Sequence, residues 1–227
     1  DNNNYGIGNM DWVTAHETAH IFYATDEYDY NVQYSGYLSA SDTHYTTTCL
    51  MGQTSLPGSL PWSICGNTTL QLGWRDGDGD GLQDIVDTFP NTVLTPYYPD
   101  PTNSSVLTYS GNVVEIPYPN SNPQVPTWLR RNVTINTITK VEFRVNGGAW
   151  LSVTSDDGAF DESEESFTFT ASALSSGTHF VETRGNNSVG NIETSFANDT
   201  ITVDLTLPTT SLSYSSSSHV EGATTYV

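Results

Sequence analysis

Positive charge is what this chain lacks most. Among 227 residues there are six Lys and Arg against 26 Asp and Glu, a net charge of −20, and none of the six precedes Arg75. So acidic a surface repels phosphate backbones and anionic headgroups alike, which excludes nucleic acid and an acidic membrane face as partners. Long apolar runs are missing as well: none approaches the roughly 20 residues of a membrane-spanning helix. The first residues, DNNNYG, have neither the basic start nor the apolar core of a secretory leader, so the chain reads as mature or trimmed. Cysteine is down to Cys49 and Cys65, which close a short loop holding Met51 and Trp62; in an oxidising compartment they are expected to form a disulfide. Scarce lysine, abundant Asn, Ser, Thr and Tyr, and five Asn-x-Ser/Thr sequons at Asn67, Asn103, Asn132, Asn186 and Asn198 point to a secreted or cell-surface protein with glycosylation sites.

What is present begins with DWVTAHETAHIFYATDEYD at 11–29, which holds His16, Glu17 and His20 as HExxH. On a helix the two histidines share one face, close enough to bind one zinc ion, with Glu17 beside the metal to act on a bound water. Asn9 or Asp11 is a candidate N-cap, and Trp12, Val13, Ala15, Ala19, Ile21 and Phe22 supply an apolar face. A zinc site needs a third protein ligand. Were the helix to continue, Glu27 would lie roughly ten ångströms beyond His20 along the axis. A break at 23–25 lets Asp26 swing under the metal and leaves a fourth position for water.

HETAHIFYATD resembles the metzincin pattern HExxHxxGxxH/D at both histidines, the glutamate and the final ligand, in its aspartate variant. The resemblance implies zinc on His16, His20 and Asp26, Glu17 as general base, and a methionine turn under the metal, for which Met51 in CLMG is placed. Tyr23 stands where the family has glycine in a left-handed turn, so the turn can fall one residue later, with Glu27 or Asp29 as alternative third ligand. Gln53 stands where the family has a tyrosine after the methionine. The family's substrate-aligning sheet precedes the zinc helix; only fifteen residues precede His16 here, and that sheet is expected to be missing from this stretch. His44, His179 and His219 are read as lying outside the site.

A second constellation runs from Asp76 to Asp87. Asp76, Asp78, Asp80, Asp84 and Asp87 occupy positions one, three, five, nine and twelve of an EF-hand-like calcium loop, with Gly81 at six and the Leu82 carbonyl at seven. Without a flanking helix pair it resembles the loops of dockerins and thrombospondin type-3 repeats. A looser acidic group, Asp156, Asp157, Asp161, Glu162, Glu164 and Glu165, reads as a solvated hairpin loop, with calcium as the alternative.

Texture divides the chain. Residues 1–90 form the expected metallopeptidase-like part, an α+β fold with long loops; 91–105, with three prolines, reads as a linker. In 106–206, short alternating runs (NVVEIPY, RNVTINTI, VEFRV, ESFTFTA, THFVETR, TITVDL) separated by Gly, Asn and Ser predict an antiparallel β-sandwich, with Asn146-Gly147-Gly148 turning VEFRV into a hairpin. VNGGAW, DDGAFD and GTHFVETRGNNSVGN resemble the immunoglobulin-like modules of bacterial and archaeal extracellular enzymes. Residues 207–227 read as the start of a further module or an exchanged strand, which gives homo-oligomers or fibres by strand addition as one expectation. Together these readings give a secreted zinc endopeptidase acting on protein or peptide substrates with Zn2+ and Ca2+, or a structural and adhesive surface module derived from such a fold.

Overall fold

The computed structural model describes residues 10–27, 38, 49–52, 63–122 and 125–213. It places helix α1 at Met10–Ile21 and α2 at Gly66–Leu72, followed by strands β1 (Pro90–Leu94), β2 (Leu107–Glu115), β3 (Ile138–Val145), β4 (Leu151–Ser152), β5 (Thr154–Ser155), β6 (Glu164–Ala171), β7 (Gly177–Asn187) and β8 (Ala197–Val203). The strands make two four-stranded sheets, β1-β2-β6-β5 and β4-β3-β7-β8, antiparallel throughout. In chain order this is the A-B-E-D and C′-C-F-G plan of immunoglobulin-like sandwiches.

Alternation builds the core. In β6 every second residue is buried, which aims Phe167, Phe169 and Ala171 inward beside Leu107, Tyr109 and Val113 of β2. The facing sheet answers with Ile138, Val141, Phe143, Val181, Ile201 and Val203. The β3–β4 turn has Asn146 at φ 52° and Gly147 at φ 70°, with the Gly148 amide donating to the Val145 carbonyl at 2.9 Å, the primed geometry that tight hairpins use. On the outer face, Arg144 pairs with Glu182 and Arg184 with Glu142, each at 2.7 Å, and Lys140 also binds Glu142. Trp150 lies between the two guanidiniums, 4.4 and 4.2 Å from its ring centre. Burial alone would raise the Glu142 carboxyl, but the bonds from Lys140 and Arg184 outweigh it and hold the group below its ordinary value.

Three expectations need correction. Residues 91–105 are not a linker: Pro90–Leu94 is an edge strand paired with β2, and Thr102 bridges to Val203. Proline is tolerated there because it opens an edge strand. RNVTINTI forms no strand until Ile138, apart from a Val133–Tyr118 bridge, because buried Asn136 instead donates to the Val86 carbonyl at 2.6 Å. A helix not anticipated from the sequence, α2, begins at Gly66, with Cys65 as its N-cap and Gly73 at φ 76° as its C-cap. Of the apolar face expected on α1, Trp12 and Ala19 are buried, whereas Ile21 and Phe22 are exposed because the helix ends there. Residues 214–227 and the two histidines His44 and His219 lie outside the described residues. The outer edge of β8, where a strand could be added, is covered by residues 97–102: Tyr97 and Thr202 amides donate to Asp199 and Asp100. No helix among the described residues is long and apolar enough to cross a membrane.

Gly111 is the most closely approached of the described glycines, since a Cβ there would stand 2.4 Å from Phe167 and 2.6 Å from the Val93 carbonyl. Gly111→Ala should therefore lower the stability of the sandwich by about 2 kcal/mol in denaturant titration. Gly147→Ala, strained only by its positive φ, should cost about 1 kcal/mol; equal midpoints for Gly111→Ala and the parent would contradict this packing.

Candidate functional site

The centre is made by how the chain leaves α1. The Tyr23 amide donates to His20 and the Ala24 amide to Ala19, each at 3.0 Å, a Schellman closure with Tyr23 at φ 68°. The turn thus falls at the position of the metzincin glycine, with a tyrosine in the left-handed region, at a strain of about 1 kcal/mol. The next three residues alternate in direction. The Thr25 amide donates to Gln71 Oε1 at 3.0 Å, and Gln71 Nε2 donates back to the Thr25 hydroxyl at 3.0 Å. Glu27 accepts from the Thr68 hydroxyl at 2.8 Å and from the Cys65 thiol at 2.9 Å, while its amide donates to the Met51 carbonyl at 2.8 Å. With residues 25 and 27 held by α2, Asp26 points the other way, toward the histidines.

There Asp26 Oδ1 stands 3.1 Å from His16 Nε2 and 3.3 Å from His20 Nε2, and the two Nε2 atoms are 3.2 Å apart. Donors about 2.1 Å from a tetrahedral zinc lie about 3.4 Å from one another, so the three match the edges of such a shell. Each imidazole is oriented from behind: His16 Nδ1 meets the Leu50 carbonyl at 3.0 Å and His20 Nδ1 the Ala24 carbonyl at 2.8 Å. A carbonyl only accepts, so both Nδ1 atoms carry a proton, and in the neutral imidazole Nε2 is then the atom with the lone pair. Three electron pairs converging at this distance repel unless a cation, a proton or a metal ion, lies between them. Trp12 stacks on His16 at 5.2 Å. His16 is 8% exposed but His20 is 33% and Asp26 22%, which leaves the approach open on the His20 side.

Of the expected residues, then, His16, His20 and Asp26 come together. Glu27, the alternative ligand, does not join them: it is 1% exposed and faces α2. Asp29, the other alternative, lies outside the described residues. Glu17 is exposed on α1. Met51 is fully buried under α1, in a turn closed by the Gly52 amide on the Cys49 carbonyl at 3.0 Å. Cys49 and Cys65 are neighbours but carry free thiols; with Glu27 their ligand atoms lie within 4.8 Å of one another. Burial pushes the Cys49 thiol up to about 12, against an opposing hydrogen bond with Thr68. Thr68 and Gln71 were missed in the sequence because nothing marked α2; its one local signal was Gly73 closing TLQL.

In the aspartate loop, Asp76, Asp78 and Asp80 gather within 4.8 Å. Gly79 and Gly81 take φ 80° and 96°, and their amides donate to Asp76 at 2.7 and 3.0 Å. The Leu82 amide donates to Asp80 at 2.8 Å. Asp84 and Asp87 are engaged elsewhere: Asp84 by Arg75 at 3.2 Å and the Gly77 amide at 2.6 Å, Asp87 by Asn191 of the sandwich at 2.6 Å. The acidic group at 156–165 is tied up internally, since buried Glu165 accepts from the Asp161 and Glu162 amides at 2.8 and 2.9 Å. His179 bridges Asn146 and the Ser175 carbonyl and takes no part in either site. Among the sequons, Asn103, Asn132 and Asn198 are exposed, Asn67 and Asn186 half-buried.

No protein-family model matches this sequence, and no curated protein matches it. Among solved structures the chain is similar to the fibronectin(III)-like modules of Clostridium thermocellum CbhA, with 13% identity over 56% of this chain and 53% of that one and a TM-score of 0.36. It is also similar to the CARDB domain of a Pyrococcus furiosus protein, with 17% identity over 52% of this chain and 98% of that one and a TM-score of 0.30. The chain thus spans about half the length of the CbhA modules. Similarity at this level assigns no function.

Because α2 aims Asp26, Gln71→Ala should weaken zinc binding about tenfold or more while leaving the melting of the sandwich unchanged. Competition with a chromogenic chelator reads the first and calorimetry the second; unchanged zinc affinity would contradict the positioning role.

Proposed function

We propose that this chain carries the zinc centre of a secreted, metzincin-like endopeptidase joined to an immunoglobulin-like sandwich. The observation that carries the reading is the convergence of His16 Nε2, His20 Nε2 and Asp26 Oδ1 at 3.1 to 3.3 Å, with both imidazoles oriented by backbone carbonyls. Zinc held there would polarise a peptide carbonyl and acidify its bound water. Glu17, next to His16 and exposed, would serve as the base toward such a water and as the acid toward the leaving amine. Buried Met51 and Leu50 support the histidine from below. The acidic surface suits a protein or peptide substrate with basic character. A second reading, a structural or adhesive surface module that keeps the metal without turnover, draws on the eight-stranded sandwich, which makes up most of the described residues.

The chain should bind about one zinc, and His16→Ala or His20→Ala should lose it. Glu17→Gln should retain zinc and lower hydrolysis of an unfolded protein by a factor of about 100 or more, assayed in the full-length protein. Absence of zinc after metal-sparing purification would refute the centre, and a Glu17→Gln variant as active as its parent would refute the role of the glutamate.

The aspartate loop is proposed to bind calcium, with Asp84 and Asp87 leaving their present partners to complete the shell around Asp76, Asp78, Asp80 and the Leu82 carbonyl. Limited proteolysis should then cut within 74–90 faster in chelator than in calcium. Identical patterns would contradict the site.

A further inference from the structure

Two thiols sit between the elements that aim two of the three proposed zinc ligands, His16 and Asp26. Cys49 precedes Leu50, whose carbonyl orients His16, and Met51, whose carbonyl holds the Glu27 amide. Cys65 caps α2, the helix whose Thr68 and Gln71 hold Glu27 and Thr25 on either side of Asp26. In the reduced chain the Leu50 amide donates to the Ser63 carbonyl at 2.7 Å, and the remaining contacts run through sulfur: the Cys65 amide on Cys49 Sγ at 3.2 Å, Thr68 Oγ1 against Cys49 Sγ at 3.2 Å, and the Cys65 thiol on Glu27 at 2.9 and 3.2 Å. Sulfur is a weak hydrogen-bonding partner, so at the two cysteines themselves the junction is held less firmly than at the Leu50–Ser63 backbone bond.

We propose that Cys49 and Cys65 are a reversible dithiol–disulfide pair whose oxidation tightens metal binding at His16, His20 and Asp26. The proposal rests on the zinc reading above and adds control of that site. The oxidant is a disulfide, small or on a protein. Cys65 is half-buried whereas Cys49 is 0% exposed, so the oxidant meets Cys65 first. The Cys65 sulfur, giving up its proton, attacks the oxidant's disulfide and expels one thiol, which leaves a mixed disulfide. Cys49, likewise deprotonated, attacks the Cys65 sulfur and expels the second. Two cysteine thiols thus lose two electrons and two protons, and the oxidant leaves as two thiols that have gained them. The new bond joins the Cys49–Gly52 turn covalently to the N-cap residue of α2. Glu27 gives up its bonds from Cys65 and keeps those from Thr68 and from its own amide to Met51. The Leu50 carbonyl and α2 are then fixed relative to each other, which pre-sets His16 and Asp26 before metal arrives.

The test equilibrates the full chain in glutathione buffers from reducing to oxidising, counts thiols by alkylation and mass spectrometry, and measures zinc affinity by chelator competition at both extremes. The oxidised form should carry the Cys49–Cys65 bond and bind zinc about tenfold tighter or more than the reduced form. Cys65→Ser, which puts a capping oxygen in place of the sulfur, should show one affinity in both buffers. Equal or weaker affinity in the oxidised chain, or two free thiols in the most oxidising buffer, would overturn the proposal alone. No zinc uptake in either buffer would overturn the zinc reading itself.

Discussion

The centre depends on a reversal of direction within three residues. Once Tyr23 has taken the left-handed turn, Thr25, Asp26 and Glu27 project alternately, and α2 claims the two odd members through Gln71 and Thr68. Asp26 is left as the one carboxylate on the histidine side. Glu27 has the longer side chain and the same charge, yet it is unavailable because its oxygens are occupied in a buried contact with Thr68 and Cys65. Which acid faces the histidines is decided by which face of an extended segment is already taken, and only secondarily by the chemistry of the two acids.

A similar economy governs the passage into the sandwich. Val86, Asp87 and Thr88, which close the aspartate loop, are gripped by three asparagines: Asn136 on the Val86 carbonyl at 2.6 Å, Asn187 on the Thr88 carbonyl at 2.7 Å and Asn191 on Asp87 at 2.6 Å. Buried Glu115 accepts from Thr88 and, at 3.1 Å, from Asn187. Glu193 does the same service one strand away, taking the Thr92 and Gly185 amides at 3.0 Å each. Polar groups buried in this way are costly unless hydrogen-bonded, and here the carbonyls and Glu193 find donors from neighbouring elements, whereas among the described residues Glu115 is bonded through Oε1 only. The loop is therefore anchored to the β-sandwich at its C-terminal end, and Asp87 stands at once in the loop and at that anchor.

How much of this could be read in the sequence follows from how local each signal is. HExxH, the Asp-Gly alternation and the strands of β3, β6 and β7 announce themselves within a few residues, because histidine spacing, turn chemistry and period-two burial are short-range patterns. β1 was hidden by the prolines around it, although Thr92 and Leu94 alternate with exposed neighbours as a strand should. RNVTINTI misled for the opposite reason: it has the alternation of a strand, but the buried side chain of Asn136 serves the aspartate loop instead of a sheet. α2 is seven residues long and capped by a cysteine in place of Ser, Thr, Asp or Asn, so neither length nor cap marked it. That omission mattered, since the spacing of the motif favoured Asp26 but only α2 shows why Glu27, kept as the alternative, is held away.

The central claim is that metal sits among His16, His20 and Asp26 and not among Glu27, Cys49 and Cys65, the neighbouring group of comparable compactness. X-ray absorption at the zinc edge on the loaded chain separates the two directly. The account predicts a shell of nitrogen and oxygen alone, at about 2.0 to 2.1 Å, with imidazole scattering from two histidines. Sulfur in the shell, near about 2.3 Å, would place the metal on the cysteines and contradict it.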